Sequence, residues 1–97
     1  MTLAIERPLS QAVDGLLKAD IKFLVSNLDQ ATYDVATHFD AGIEYILIDS
    51  RSHHYQIKFT PEKITLLKYR YSTDGSLTNG QEVEIVMLPQ FVSMLEG

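Results

Sequence analysis

Arg51, His53, His54, Tyr55 and Lys58 bring the side chains needed for proton transfer into one eight-residue stretch. Cleavage of a phosphodiester or a similar bond needs a histidine, a second acid or base, and a cation facing the developing charge. By residue type, then, this stretch could serve a small nuclease or other hydrolase using His53 and His54, with Arg51 and Tyr55 beside them. Geometry works against that use. Adjacent residues of a strand point to opposite faces, so His53 and His54 on an unbroken strand share neither a substrate nor an ion. The plain alternative is that all five are the exposed residues of one hairpin edge.

The remaining constellations are weaker. His38 adds a third histidine, but no carboxylate stands at a metal-binding spacing such as H-E-x-x-H, and no metal or other cofactor is expected. Asp49, Ser50 and His53 have the residue types of a nucleophile relay without the strained G-x-S-x-G turn that exposes such a serine. Gly75 and Gly80 have the spacing of a phosphate loop, yet Gln81 stands where the lysine belongs, so a hairpin loop is expected. Asp14, Asp20, Asp29, Asp34, Asp40 and Glu44 could form an acidic docking face. Their scatter fits a solvated surface better.

Composition narrows the classes further. Ninety-seven residues suit one domain, 45% hydrophobic and 22% charged, as in an ordinary globular fold. The chain has no cysteine, which excludes disulfide stapling, thiolate metal sites and cysteine nucleophiles. The segment Met1 to Pro8 has neither the basic nor the apolar part of a signal peptide. The apolar run Tyr45-Ile46-Leu47-Ile48 is far short of the ~20 residues of a membrane span. A cytoplasmic location and no membrane partner are expected. The net charge is −5, all of it in residues 1–50, where three basic groups face eight acidic ones. Such a field repels phosphate backbones, and nucleic acid is not expected as a partner.

The elements that would position these residues follow from periodicity. Leu9, Val13, Leu16, Leu17, Leu24 and Leu28 recur at helical spacing, predicting a helix from Pro8 to Leu28 with Pro8 or Ser10 at its start and Asp14–Lys18 paired on its wet face. Residues 29–41 read two ways. As a strand, Tyr33, Val35, Thr37 and Phe39 alternate with Asp34, Ala36, His38 and Asp40. As a helix, Asp29 caps the start and Gly42 the end. Aspartate is disfavoured within strands, which tips the expectation to a helix.

From Ile43 the period is two. Ile43–Asp49 is apolar on both faces and so central. In the next strand Tyr55, Ile57 and Phe59 oppose His54, Gln56 and Lys58. A turn at Thr60–Lys63 leads to a strand from Ile64 to Tyr71. A loop from Ser72 to Gly80, with Asp-Gly and Asn-Gly turn signals, precedes a strand from Gln81 to Leu88. Pro89 opens a short last helix. Charge suggests a register for the final hairpin: Tyr71 facing Gln81 sets Arg70 against Glu82 and Lys68 against Glu84 on the wet face, with Tyr69–Val83 and Leu67–Ile85 beneath. That register conflicts with a four-residue turn pairing Phe59 with Ile64, which would put Lys68 on the face of Ile57.

The expected fold is a two-layer α+β domain of order α-α-β-β-β-β-α. Its antiparallel four-stranded β-meander carries the N-terminal helices on one face. Four strands leave an open edge. The expected function is a non-catalytic protein-interaction or regulatory module acting through Asp34, Asp40, Lys68, Arg70, Glu82 and Glu84, with a second copy (a homodimer) or another protein as partner. A face bearing Leu66 and Val86 would meet the copy. Besides the hydrolase, the alternative is a small-ligand binder with a pocket rimmed by Tyr33, Tyr45 or Tyr69.

Overall fold

The computed structural model describes residues 12–96. An antiparallel sheet and two α-helices make an α+β fold with one hydrophobic core. A π-helical segment, Ala12–Leu17, runs into α1, Lys18–Ser26. Then come five strands: β1 (Asp34–Asp40), β2 (Ile43–Asp49), β3 (His53–Phe59), β4 (Ile64–Tyr71) and β5 (Leu77–Ile85). They pair in chain order, and α2, Leu88–Glu96, closes the described chain. Pro8 and Ser10, expected at the first helix's start, lie outside the described residues, as does the Asp14 side chain.

The sheet has five strands, not four, because residues 34–40 form β1 rather than a second helix. The signals for a helix there have other uses. Asp29 does accept from local donors, at 3.1 Å from the Ala31 N–H and 2.8 Å from the Thr32 hydroxyl. The turn it holds stops at Tyr33. Gly42, at φ +80, and Ala41, at φ 54, make a two-residue hairpin turn that joins Asp40 to Ile43. Positive φ at both central residues is the requirement of the type I′ turn that matches strand twist. The two aspartates sit at the ends of an edge strand exposed along its whole length, where charge is well tolerated.

One face of the sheet meets both helices. Ile46 and Ile48 of β2, Tyr55, Ile57 and Phe59 of β3, Ile64 and Leu66 of β4, and Ile85 of β5 pack with Ile21 and Val25 of α1 and Phe91 and Leu95 of α2. The turn Thr60–Lys63 has four residues and pairs Phe59 with Ile64. Lys68 therefore lies opposite Tyr55 on the helix side. The charge-matched register of the last hairpin is not the one found. Leu66 pairs with Val83, Ile64 with Ile85, Leu67 with Glu82 and Thr65 with Glu84, a shift of three residues that exchanges the faces of β4. Leu66, expected on a wet face, is fully buried.

Two features produce the shift. The reversal closes early, at Ser72–Ser76, with the Ser72 N–H donating to the Ser76 carbonyl and Tyr71 facing Leu77. Asn79-Gly80 is then not a turn but lies within β5, where the ladder steps between Lys68–Gln81 and Arg70–Thr78. Two residues of β5 oppose one of β4 there, which defines a β-bulge and suits glycine.

Candidate functional site

Pairing sends the histidines of β3 to opposite faces. His53 lies on the helix side across from Arg70, and His54 on the open face across from Asp49 and Tyr69. A hydrolase that uses both at one centre has no such centre here. Among the described residues no three His, Asp or Glu side chains are grouped to hold a metal ion.

On the helix side, Arg51, His53 and Tyr55 line a cavity of about 620 Å³ with Tyr33, Ser50 and Leu95. Two of the groups that could move a proton there, Tyr55 and His53, are engaged. The Tyr55 hydroxyl donates to the Leu95 carbonyl at 3.2 Å, and burial pushes its pKa up. The Ser52 hydroxyl lies 2.8 Å from His53 Nδ1. Burial, then the charges of Lys68 and Arg70, push the His53 imidazole below its ordinary pKa and favour its neutral form.

On the open face His54 belongs to a chain of polar side chains. Its Nδ1 is 2.8 Å from Asp49 Oδ1, which also accepts from the Tyr71 hydroxyl. The Gln56 side-chain amide lies 3.2 Å from His54 Nε2. Burial pushes the Asp49 carboxyl up, but the bonds from Tyr71 and His54 outweigh it and hold the pKa below the ordinary value. The same bond raises Tyr71. Asp49 of β2 thus gathers His54 of β3 and Tyr71 of β4, while His54 Nε2 meets Gln56 of its own strand. Tyr45 and Tyr69 also face this side, Tyr45 over a shallow hollow of about 200 Å³ and Tyr69 beside the His54 ring at 6.1 Å.

No family model, curated protein or solved structure matches the chain. Function is therefore read from its own surfaces.

The charged residues expected to form one interaction surface are dispersed. Lys68 Nζ donates to the Met94 carbonyl at 2.8 Å and caps the end of α2 from below. Arg70 is exposed opposite Thr78, while Glu82 and Glu84 are exposed on the other face. Among the described residues the lysine–carboxylate pairs are Lys18–Glu44 and Lys22–Glu44, neither of them within the last hairpin. Glu44 is no part of a docking face. Its side chain, 11% exposed, lies between Lys22 at 2.8 Å and Lys18 at 2.9 Å. Those bonds hold its carboxyl below the ordinary range.

Asp34 and Asp40 remain, at the two ends of β1. The two edges of the sheet differ. At β5, Gln90 of α2 covers the outer backbone, its side-chain amide donating to the Glu84 carbonyl and accepting from the Val86 N–H, each at 2.9 Å. The bulge and two glutamates guard the rest, which are ordinary protections of an edge. At β1, no strand, helix or side chain among the described residues occupies the outer backbone. The tight turn makes Asp40–Ile43 a hydrogen-bonded pair, so by alternation Val35, Thr37 and Phe39 direct their N–H and C=O groups outward. Their side chains lie on the helix side yet beyond its cover, Val35 at 43% and Phe39 at 67% exposure. Sequence periodicity held the alternation of Val35, Thr37 and Phe39, but no residue type announces that an edge is left bare.

Proposed function

We propose that this chain is a protein-interaction module that binds by strand addition, lending the free edge of β1 to an extended segment of another polypeptide. The observation that carries this is the contrast between the edges: at β5 Gln90 occupies the Glu84 carbonyl and the Val86 N–H, whereas Val35, Thr37 and Phe39 of β1 present unpaired backbone, with Val35 and Phe39 exposed beside it. Unpaired edge backbone is a template for a further strand, and flanking apolar side chains supply specificity.

A displayed library of random ten-residue peptides, selected on the folded chain, tests this. Thr37→Pro removes the central outward N–H at a position where an edge tolerates proline. Phe39→Glu, on an exposed side chain, serves as a second variant. Peptides selected on the parent chain should lose binding to both, while circular dichroism shows each variant folded. Selection of no peptide, or undiminished binding to both variants, overturns the proposal.

A further inference from the structure

The charge pattern along β1 says which strand fits it. Asp34 and Asp40 stand six residues apart at its ends, Val35 and Phe39 lie just inside them, and Thr37 is at the centre. No cation lies on the strand. The pattern is nearly symmetric about Thr37, and this determines what fits opposite it.

Consider first a second copy of the chain. Outward-directed residues must pair with outward-directed residues, so the full-length antiparallel ladder sets Thr37 against its own equivalent. Val35 then meets Phe39 on the helix side, which is favourable. At both ends, however, Asp34 meets Asp40, and like charges directly opposite one another destabilise a ladder. A slip of two residues relieves the repulsion by bringing Asp34 to His38. It also shortens the ladder to five residues and leaves Phe39 outside it, while the opposite slip, which sets Asp40 against Ala36, leaves Val35 outside; either one breaks the Val35–Phe39 pairing. Each register sacrifices either charge or apolar contact.

We infer that β1 takes a basic-flanked extended segment of a different protein: Lys or Arg at the first and seventh positions, apolar residues at the second and sixth, paired antiparallel. The inference rests on the strand-addition reading above and adds the partner's chemistry to it. In that arrangement each end has a cross-strand pair of opposite charge. The apolar pairs fall on the helix side, opposite Phe39 and Val35, whose own partners in β2 are Glu44 and Ile48. Antiparallel pairing extends the sheet's own ladder and is slightly more stable per residue than parallel pairing. An excess of acidic groups in the first half of the chain favours approach of a basic segment.

Two synthetic peptides test this by fluorescence anisotropy on the full chain, at low and high salt. One is Lys-Val-Ser-Thr-Ser-Phe-Lys, the other the same peptide with glutamate at both ends. The basic peptide should bind about tenfold more tightly, with the gap narrowing in high salt. A double variant, Asp34→Lys with Asp40→Lys, should reverse the preference. Equal binding of the two peptides, each lost with Thr37→Pro, would sink the partner assignment and leave the strand-addition reading standing. Binding insensitive to Thr37→Pro, or none by either peptide, would count against both. Analytical ultracentrifugation supplies a further outcome: self-association abolished by Thr37→Pro makes a second copy the occupant and overturns the inference.

Discussion

The ring of Tyr69 lies across the backbone of Gly80, its Cε1 2.7 Å from where a β-carbon at residue 80 would stand. The glycine permits the bulge in β5, and the aromatic ring covers the gap that its missing side chain leaves. Alanine at position 80 would push the ring away. Gly80→Ala should lower stability by about 1 kcal/mol, a small overpacking cost because an aromatic ring can swing. In a double-mutant cycle with Tyr69→Ala that cost should largely vanish, since the atom it strikes is gone. Chemical denaturation of the four proteins measures the coupling, and additive losses would show that the ring does not constrain residue 80.

Glu44 holds two lysines of α1, and so ties the helix to the half of the sheet nearest the free edge. Lys18 also stands over the Phe59 ring, 5.2 Å from its centre. Replacing the largely covered carboxylate leaves the two ammonium groups facing one another without a counter-charge. Glu44→Gln should cost about 1 kcal/mol, more than an exposed pair yields. Lys22→Ala, which leaves Lys18 in place, should cost less. Thermal melts across a salt series check both the order and its weakening at high ionic strength.

Lys68 is a buried-side lysine with a structural task. Its ammonium meets the Met94 carbonyl and lies 5.8 Å from the centre of the Tyr55 ring, whose hydroxyl meets the Leu95 carbonyl. Two donors from the sheet thus satisfy the last turn of α2, where cations are also favoured by the helix dipole. Lys68→Met keeps the stem and removes the donor, and should destabilise by about 1–2 kcal/mol. Hydrogen exchange should show the loss concentrated in α2. Uniform exchange across the sheet would contradict the capping role.

The pH dependence has a calculable sign. Asp49 is held below its ordinary value of 3.8, so its bonds stabilise the fold above that pH and fade as pH falls through the lower folded value. His53 is held below 6.5. The unfolded chain therefore takes up that proton first, and stability declines as pH drops below 6.5 until the folded imidazole also titrates. His53→Gln should flatten the decline just below pH 6.5, and Tyr71→Phe should weaken stability at neutral pH by about 1 kcal/mol. Denaturant midpoints measured from pH 8 to pH 3 test both.

Much of the sheet was legible because burial enforces alternation. β2 reads as central since Tyr45 and Leu47 are half-buried on one face and Ile46 and Ile48 buried on the other. The alternation of Tyr55, Ile57 and Phe59 marks the covered face of β3 for the same reason. β1 was ambiguous because no residue of it is buried, so its pattern carries no imprint of the core. Asp29 and Gly42 punctuate a hairpin arm with residues that would also punctuate a helix. The last hairpin misleads through Asn79-Gly80, a strong turn signal that serves a bulge instead. Lys68 misleads through its charge, which is satisfied by a carbonyl of α2 rather than by a glutamate opposite. In the candidate site, Asp34 and Asp40 were visible as charges. That they bracket an uncovered edge depends on which strand ends up outermost, and on where Gln90 falls.

The bareness of β1 also bears on how the fold holds together. Every buried side chain of the sheet belongs to β2, β3, β4 or β5. Peeling β1 away would break backbone hydrogen bonds and the His38–Tyr45 ring contact but withdraw no side chain from the core, so the arm is held by its ladder, its tight turn and the link through Tyr33 to α1. The cooperative unit is then a four-stranded meander with its helices, and β1 is a hinged flap with a low local opening energy. A strand arriving on its outer side would supply the second ladder that every interior strand already has.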